Sequence, residues 1–288
     1  MLIMLISHET PISMLNVSRY YNDYDYCLVH LLPTHEEYKD FYFESVRKGR
    51  HVLLDNSIFE LGVAYDSREY AQWILDLKPT EYIIPDVLEN THETISSFQA
   101  FKKEYGDLPG KVIGVVQGKN YQELVECYKF MASHVDKIAI SFDYSYYLEE
   151  GEESALELKS IVEYLNLPDT AFESKWCKYA VGRFKLIKSL IRDNVWEDKP
   201  HHLLGCSVPW EFKLLNKSLQ NNKAQTIQTI DTSNPIVAGL TGKCYDAGYG
   251  LVDKWSCKLV DFITSDVTVD QATLIQDNIW KFKHLINS

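Results

Sequence analysis

No CxxC pair stands anywhere in this chain. Its six cysteines (Cys27, Cys127, Cys177, Cys206, Cys244 and Cys257) are scattered. That excludes a small secreted disulfide scaffold and points to reduced thiols in an intracellular protein. No apolar run approaches the ~20 residues that a membrane helix requires, and the opening MLIMLI is broken by Ser7-His8-Glu9. A basic n-region and a small-residue cleavage site are both missing, so no signal peptide is expected and the chain is placed in the cytoplasm. Positive charge is scarce as well. With 29 Lys and Arg against 41 Asp and Glu, the formal charge is −12, which argues against an extended nucleic-acid footprint but leaves room for a local basic groove. Finally, no repeat, low-complexity tract or linker divides the sequence. At 288 residues it is long enough to bury one large core, and a single domain over 1–288 is expected.

What is present is recurrence. Short apolar runs come at MLIMLIS (1–7), YCLVHLLP (26–33), HVLLDNS (51–57), EYIIPDV (81–87), KVIGVVQG (111–118), KIAISFD (137–143), HLLGCSV (202–208) and TIQTID (226–231). Continuous runs of this kind suit strands covered on both faces, as in a parallel sheet. The segments between them carry helical spacing. Tyr121, Leu124, Val125, Tyr128 and Met131 fall on one face; Leu156, Ile161 and Leu165 form another, and Phe184, Ile187, Leu190 and Ile191 a third. Strands alternating with helices eight times over predict an α/β protein of the (β/α)8 TIM-barrel type rather than an open sheet. The long interval between the sixth and seventh runs predicts an insertion or extra helix. The tail Asp270–Ile286 predicts a C-terminal helix against the outside of the barrel.

In such a barrel the reactive groups stand at the carboxyl ends of the strands. Asp55 ends the third run, Asp86 the fourth, Gln117 the fifth, Gly205-Cys206 the seventh and Asp231 the eighth. Any one of them is explained as a cap on the following helix or as a turn residue. Their recurrence on consecutive strands exceeds what turn chemistry requires. Paired carboxylates on one rim suit glycosyl chemistry, one attacking an anomeric carbon while the other handles the leaving group's proton. A carboxylate beside an amide suits a guanine-like edge, accepting from its N–H groups and donating to its carbonyl. Phe59 offers either a stacking face for a flat heterocycle or ordinary core packing.

These motifs, in this order, look familiar. Asp55-Asn56-Ser57-Ile58-Phe59-Glu60 resembles a DSGGFQ-like motif, and Gly114-Val115-Val116-Gln117-Gly118 resembles GIVQGG. Leu203-Leu204-Gly205-Cys206-Ser207-Val208-Pro209 resembles LMGVGTP, and Ile230-Asp231-Thr232-Ser233-Asn234-Pro235 resembles FDCVLPTR. Pro85-Asp86 falls where a base-binding aspartate is expected. Over 50–242 the chain thus resembles the tRNA-guanine transglycosylase superfamily, most closely its phage relatives that place 7-deazaguanine bases in DNA. The resemblance implies a pentosyltransferase that exchanges guanine in a polynucleotide for a base such as 7-cyano-7-deazaguanine. It implies Asp231 as the nucleophile at the sugar C1′ and Asp55 as the acid/base. Asp86 and Gln117 would hold the polar edge of the base, Phe59 and Leu204 its two faces, and Gly205 would allow close backbone approach. Ser141 and Phe142 match a Gly-Gly-Leu stretch only in outline. No cofactor enters this chemistry, and the implied partners are the polynucleotide, the deazaguanine and released guanine; a homodimer is left open.

The departures are informative. Ser57 and Ile58 replace the family's paired glycines, which narrows the base pocket or changes the incoming base. Asn234-Pro235-Ile236-Val237 lacks the arginine of the PTR motif. The CxCxxC zinc cluster is missing, since Cys244, Cys257 and His284 are too widely spaced for a good tetrahedral set. These departures favour DNA as the polymer. Base exchange on tRNA and a non-catalytic nucleic-acid-binding subunit are the alternatives. His201 and His202 are expected to be structural, at the start of strand seven and away from the chemistry. Arg183, Lys185, Lys188 and Arg192, with Lys213 and Lys217, form either a solvated helix face or a strip that tracks phosphates.

Overall fold

Each of the eight apolar runs contributes a strand in the computed structural model, which describes residues 4–142, 144, 152–172, 174–218, 226–252 and 257–287. Residues 1–3 of the first run and Asp143 of the sixth lie outside the described residues, as do the side chains of Leu156 and Lys217. The strands are β1 (Leu5–His8), β2 (Asp25–Leu28), β3 (Val52–Asp55), β4 (Glu81–Ile83), β5 (Lys111–Val116), β6 (Lys137–Ile140), β7 (His201–Leu203) and β8 (Ile227–Thr232). They pair in parallel in the order β1-β8-β7-β6-β5-β4-β3-β2. Side chains help to bridge the remaining seam between β1 and β2. Ile6 N donates to Asp23 Oδ2 at 2.9 Å, Asp23 N donates to Ile6 O at 2.9 Å, and Tyr26 N donates to Ser7 Oγ at 3.2 Å. The result is a nearly closed (β/α)8 barrel.

Every residue of β2, β3, β4, β6 and β7 is buried, the condition that makes parallel strands read as unbroken apolar runs. The second run overstates its strand. After Leu28 the chain turns into a 3-10 helix at Val29–Leu31, whose apolar residues pack without joining the sheet.

The helices are α1 (Leu15–Ser18), α2 (Glu36–Arg47), α3 (Ile58–Leu61), α4 (Ser67–Leu77), α5 (Thr91–Tyr105), α6 (Tyr121–His134), α7 (Glu152–Leu165), α8 (Lys175–Arg192), α9 (Trp210–Ser218), α10 (Asn234–Leu240) and α11 (Val269–Ile286). The predicted insertion between β6 and β7 thus holds two helices, α7 and α8, and α11 is the predicted C-terminal helix. Asn90 caps α5 by accepting from Glu93 N at 3.1 Å, and Asn120 caps α6 by accepting from Glu123 N at 3.0 Å. Capping is therefore done by these asparagines and not by Asp86 or Gln117 at the strand ends.

The helix that follows β8 is held by the C-terminal helix. Ile236, Val237 and Leu240 of α10 share an apolar cluster with Ile275 and Ile279 of α11. Buried Asn278 of α11 accepts from Tyr245 N at 2.8 Å and donates to Lys243 O at 2.9 Å, pinning the chain beyond α10. At Gly239 the two helices nearly touch. A Cβ there would lie 2.4 Å from Ile275 Cγ1 and 2.8 Å from its backbone nitrogen.

Helix propensity alone predicts that Gly239→Ala gains about 1 kcal/mol. The crowding reverses that sign, and we expect a loss of roughly 1–3 kcal/mol, read as a lower urea midpoint with an unchanged slope. A raised midpoint would mean that α10 and α11 are not packed this closely.

Candidate active site

Three consecutive strands build one side of the barrel mouth. Asp86, three residues past β4, is only 1% exposed. Its Oδ1 accepts from Asn56 Nδ2 at 2.7 Å and its Oδ2 from Gln117 Nε2 at 2.7 Å. Each amide is itself held: Asn56 Oδ1 accepts from Ile58 N at 3.0 Å, and Gln117 Oε1 accepts from Glu89 N at 2.9 Å. A carboxylate has about four lone-pair directions, so each Asp86 oxygen keeps acceptor capacity beyond its amide bond. Burial pushes the Asp86 carboxyl above its ordinary range, against the opposing pull of Asn56 and Gln117.

Asp55 ends β3 and lies at the same face. Its Oδ2 accepts from Ser57 N at 3.2 Å, so the turn-forming reading of this aspartate is correct as far as it goes. The side chain does more than shape the turn. Burial, then the charge of Glu60, with smaller contributions from Asp86 and Asp231, push its carboxyl well above the usual range. Ser57 itself is left-handed, with φ +59°, at the position where the motif it resembles has glycine. Such a conformation costs a non-glycine residue roughly 1–2 kcal/mol.

Asp231 of β8 occupies the opposite side of the mouth and is 3% exposed. Gly205 N donates to both of its oxygens at 3.1 Å, and His202 Nε2 lies 3.0 Å from Oδ1. Gly205 adopts φ +63°, a conformation that glycine takes at no steric cost, and this turn aims its N–H at the carboxylate. His202, expected to lie at the strand's entry away from the candidate residues, is thus in contact with Asp231. β7 has only three residues, and a strand rises about 3.3 Å per residue, so a side chain from its middle reaches the mouth. His201, its neighbour on the opposite face, does pack structurally, stacked on Trp196 at 3.8 Å with its Nε2 2.8 Å from Tyr128 Oη.

Arg183 also departs from expectation. It is fully buried, and it makes a bidentate pair with buried Glu211 of α9 at 2.7 Å and 2.7 Å. Its Nη1 donates to Leu204 O at 2.6 Å. Arg183 therefore holds the Leu204–Gly205 turn that holds Asp231, and it cannot belong to an exposed phosphate strip. Arg192 is tied to Asp193 at 2.8 Å.

The remaining candidates are spread more loosely. Phe59 is 62% exposed on the rim, with Lys258 Nζ 4.6 Å from its ring centroid. It is free of the core, as a stacking residue must be, but one face carries a cation. Leu204 is half-buried beside Gly205. Ser141 is held by its backbone N–H, which donates to Tyr144 Oη at 3.1 Å. Phe142 is buried, stacked near-parallel to Trp176 at 6.2 Å with the Arg183 guanidinium 5.0 Å from its ring centroid; it packs the wall and presents no open face. Among the described residues, no three His, Cys, Asp or Glu side chains are grouped to hold a metal. Cys244 instead faces Lys281 Nζ at 3.1 Å, and His284 stacks on Trp280. A groove of about 950 Å³ between α2 and its neighbours, lined by Leu15, Phe41 and Leu77, shares no residue with the mouth. Among the described residues, no helix is long and apolar enough to cross a membrane. No protein-family model and no curated protein matches this chain.

Raised proton affinity has a definite sign for stability. The fold favours neutral Asp55, a contribution that is full below the ordinary carboxyl range near pH 4 and lost as pH rises through the higher folded value. Asp55→Asn is neutral throughout and escapes that loss. We expect its Tm to exceed the parent's by roughly 2–4 °C at pH 8, with the gain vanishing toward pH 4. An equal or lower Tm at pH 8 would show that Asp55 is not a strained, desolvated acid.

Proposed function

We propose that this protein is a base-exchange pentosyltransferase that replaces guanine in DNA with a 7-deazaguanine, through a sugar covalently bound to Asp231. The observation that carries the reading is the contrast between its carboxylates. Asp231 takes the Gly205 N–H on both oxygens and has His202 Nε2 3.0 Å from Oδ1, whereas Asp55 receives a backbone N–H from Ser57 and is pushed toward its neutral form by burial. Two acids whose surroundings differ in this way divide naturally into a nucleophile and a proton carrier.

In this reading a carboxylate oxygen of Asp231 forms a bond to C1′ as the C1′–N9 bond breaks. The electron pair leaves with guanine, and Asp55 supplies its proton. The incoming 7-deazaguanine then loses its N9 proton to Asp55 and attacks C1′, releasing Asp231. Storing the sugar on the protein conserves the energy of the glycosidic bond and needs no activated donor. The heterocycle would sit against Asp86 and Gln117. Unused Asp86 lone pairs would accept from the ring N–H and the amino group, and the second N–H of the Gln117 amide would reach the carbonyl. Phe59 would cover one face once Lys258 moves aside. In a duplex the target nucleotide must first leave the stack, at a cost of roughly a few kcal/mol.

DNA is favoured over tRNA by the missing PTR arginine and the missing zinc cluster. A purely binding role is disfavoured by chemistry, because a scaffold gains nothing from burying Asp55 against its neighbours' charge. The test is incubation with guanine-containing DNA, or with tRNA, and labelled 7-cyano-7-deazaguanine. Label should enter DNA, and Asp231→Asn should lower the rate by at least about 10³-fold, the scale for losing a covalent nucleophile. Label entering tRNA alone would move the reading to the tRNA polymer. Free guanine released without label uptake would mark a hydrolase, and no reaction with either polymer would overturn the enzyme reading.

A further inference from the structure

A polar chain crosses the barrel interior beneath Asp231. At one end His51 Nε2 lies 3.1 Å from Glu81 Oε2, and the His51 side chain is 25% exposed. Lys137 Nζ donates to the same Glu81 oxygen at 2.6 Å and to Thr229 Oγ1 at 3.4 Å. Thr229 Oγ1 lies 2.9 Å from His202 Nδ1, and His202 Nε2 lies 3.0 Å from Asp231 Oδ1. Lys137, Thr229 and His202 are all buried. Glu81, Lys137 and Thr229 come from alternate strands, β4, β6 and β8, which is how barrel geometry builds one interior layer. Such layers are ordinarily filled by branched apolar side chains, and a buried ion pair contributes little to stability by itself. This layer therefore calls for a reason other than packing.

The donor arithmetic supplies one. An ionised Asp231 can only accept, so the His202 Nε2 that faces Oδ1 carries the ring proton, and the bare Nδ1 accepts from the Thr229 hydroxyl, whose oxygen in turn accepts from Lys137. The Tyr26 ring lies parallel to the imidazole within 16°, at 6.2 Å, and restrains its plane. Burial keeps His202 below its ordinary range despite the Asp231 charge beside it, while Glu81 is held down at about 2, because His51 and Lys137 outweigh its own burial. The charged groups facing the ring are thus Asp231 above it and the Lys137–Glu81 pair below.

We infer that His202 is a positioning residue, locked in its Nε2–H tautomer by Thr229 and Lys137, so that Asp231 Oδ1 is engaged and Oδ2 is the oxygen left to attack. Among the described residues, Oδ1 takes bonds from both His202 and Gly205, whereas Oδ2 takes only the Gly205 bond. This inference rests on the reading of Asp231 as the nucleophile, but its first test needs no substrate. Long-range proton–nitrogen NMR of the full chain at pH 7, with the His202 signals assigned by their loss in His202→Gln, should show the Nε2–H tautomer. An Nδ1–H tautomer or an imidazolium would overturn the relay whether or not base exchange occurs. In the exchange assay, Thr229→Val should lower kcat about tenfold, the scale for removing an outer hydrogen-bond partner, with KM unchanged. Thr229→Ser, which restores the hydroxyl, should recover the rate. Equal kcat in Thr229→Val and the parent would overturn the positioning role. Were no exchange found at all, a correct tautomer would leave the relay standing and remove only the proposed function. Should Thr229→Val fail to fold, the tautomer of the unaltered chain decides.

Discussion

A carboxylate at a barrel mouth is only as well aimed as the N–H groups that hold it, and for Asp231 those groups come from the neighbouring strand and its exit turn. Gly205 N and His202 Nε2 both belong to the β7 segment, so whatever fixes β7 fixes the candidate nucleophile. Arg183 provides much of that fixation. It reaches from α8 to Glu211 on α9 and to the carbonyl of Leu204. A guanidinium buried without a carboxylate would cost several kcal/mol; paired and fully bonded, it is close to neutral in stability. What it adds is a second anchor for a turn that the Asp231 carboxylate already holds at Gly205 N. The helical insertion between β6 and β7 is thereby tied to the mouth.

The parts of this arrangement that were legible beforehand share a cause. Parallel strands covered on both faces must be apolar throughout, so each run marks its strand, and the point where the run stops marks the mouth. Asp55, Asp86, Gln117 and Asp231 were found that way. What stayed hidden depends on partners distant in sequence or on the parity of a very short strand. Arg183 shares a helix with Lys185 and Lys188, and only Glu211, which no periodicity links to it, shows that it faces inward. His202 looked remote because the start of a strand is normally far from its end; in a three-residue strand it is not. The signal available was a polar residue at the head of an apolar run, which in the sheet pairs directly with Thr229. Lys258 over Phe59 had no sequence signal at all, lying 199 positions away.

Several departures from ordinary structural preference lie at this face. Ser57 holds a left-handed turn that glycine would take freely, and Asp55 and Asp86 are carboxylates in places that raise their proton affinity. The interior layer below carries a lysine and a glutamate where branched apolar residues usually pack. Elsewhere many local choices agree with the fold, although Lys78, Asn166 and Asn194 also take left-handed conformations: asparagine caps start α5 and α6, a reciprocal Thr268–Gln271 capping box starts α11, and α10 and α11 close on an apolar cluster.

The acidic balance of the chain acquires a different meaning at that site. Counted formally, a mouth with Asp55, Asp86, Asp231 and Glu60 should repel a polyanion. Burial raises the proton affinity of Asp55, Asp86 and Glu60, which opposes the ionisation of three of these four carboxyls. Cations stand on the rim rather than in the cavity: Lys258 lies over Phe59, and Lys119, with its side chain 67% exposed, is loosely placed 3.7 Å from Glu89. Electrostatic attraction between partners depends on the local field and not on net charge. The same desolvation that raises proton affinity at the mouth is what an acid must have if it is to hold a proton near neutral pH. In the proposed reading, tolerance of a negatively charged polymer and readiness for proton transfer would follow from one physical cause, and a substitution that opened Asp55 to water would weaken both together.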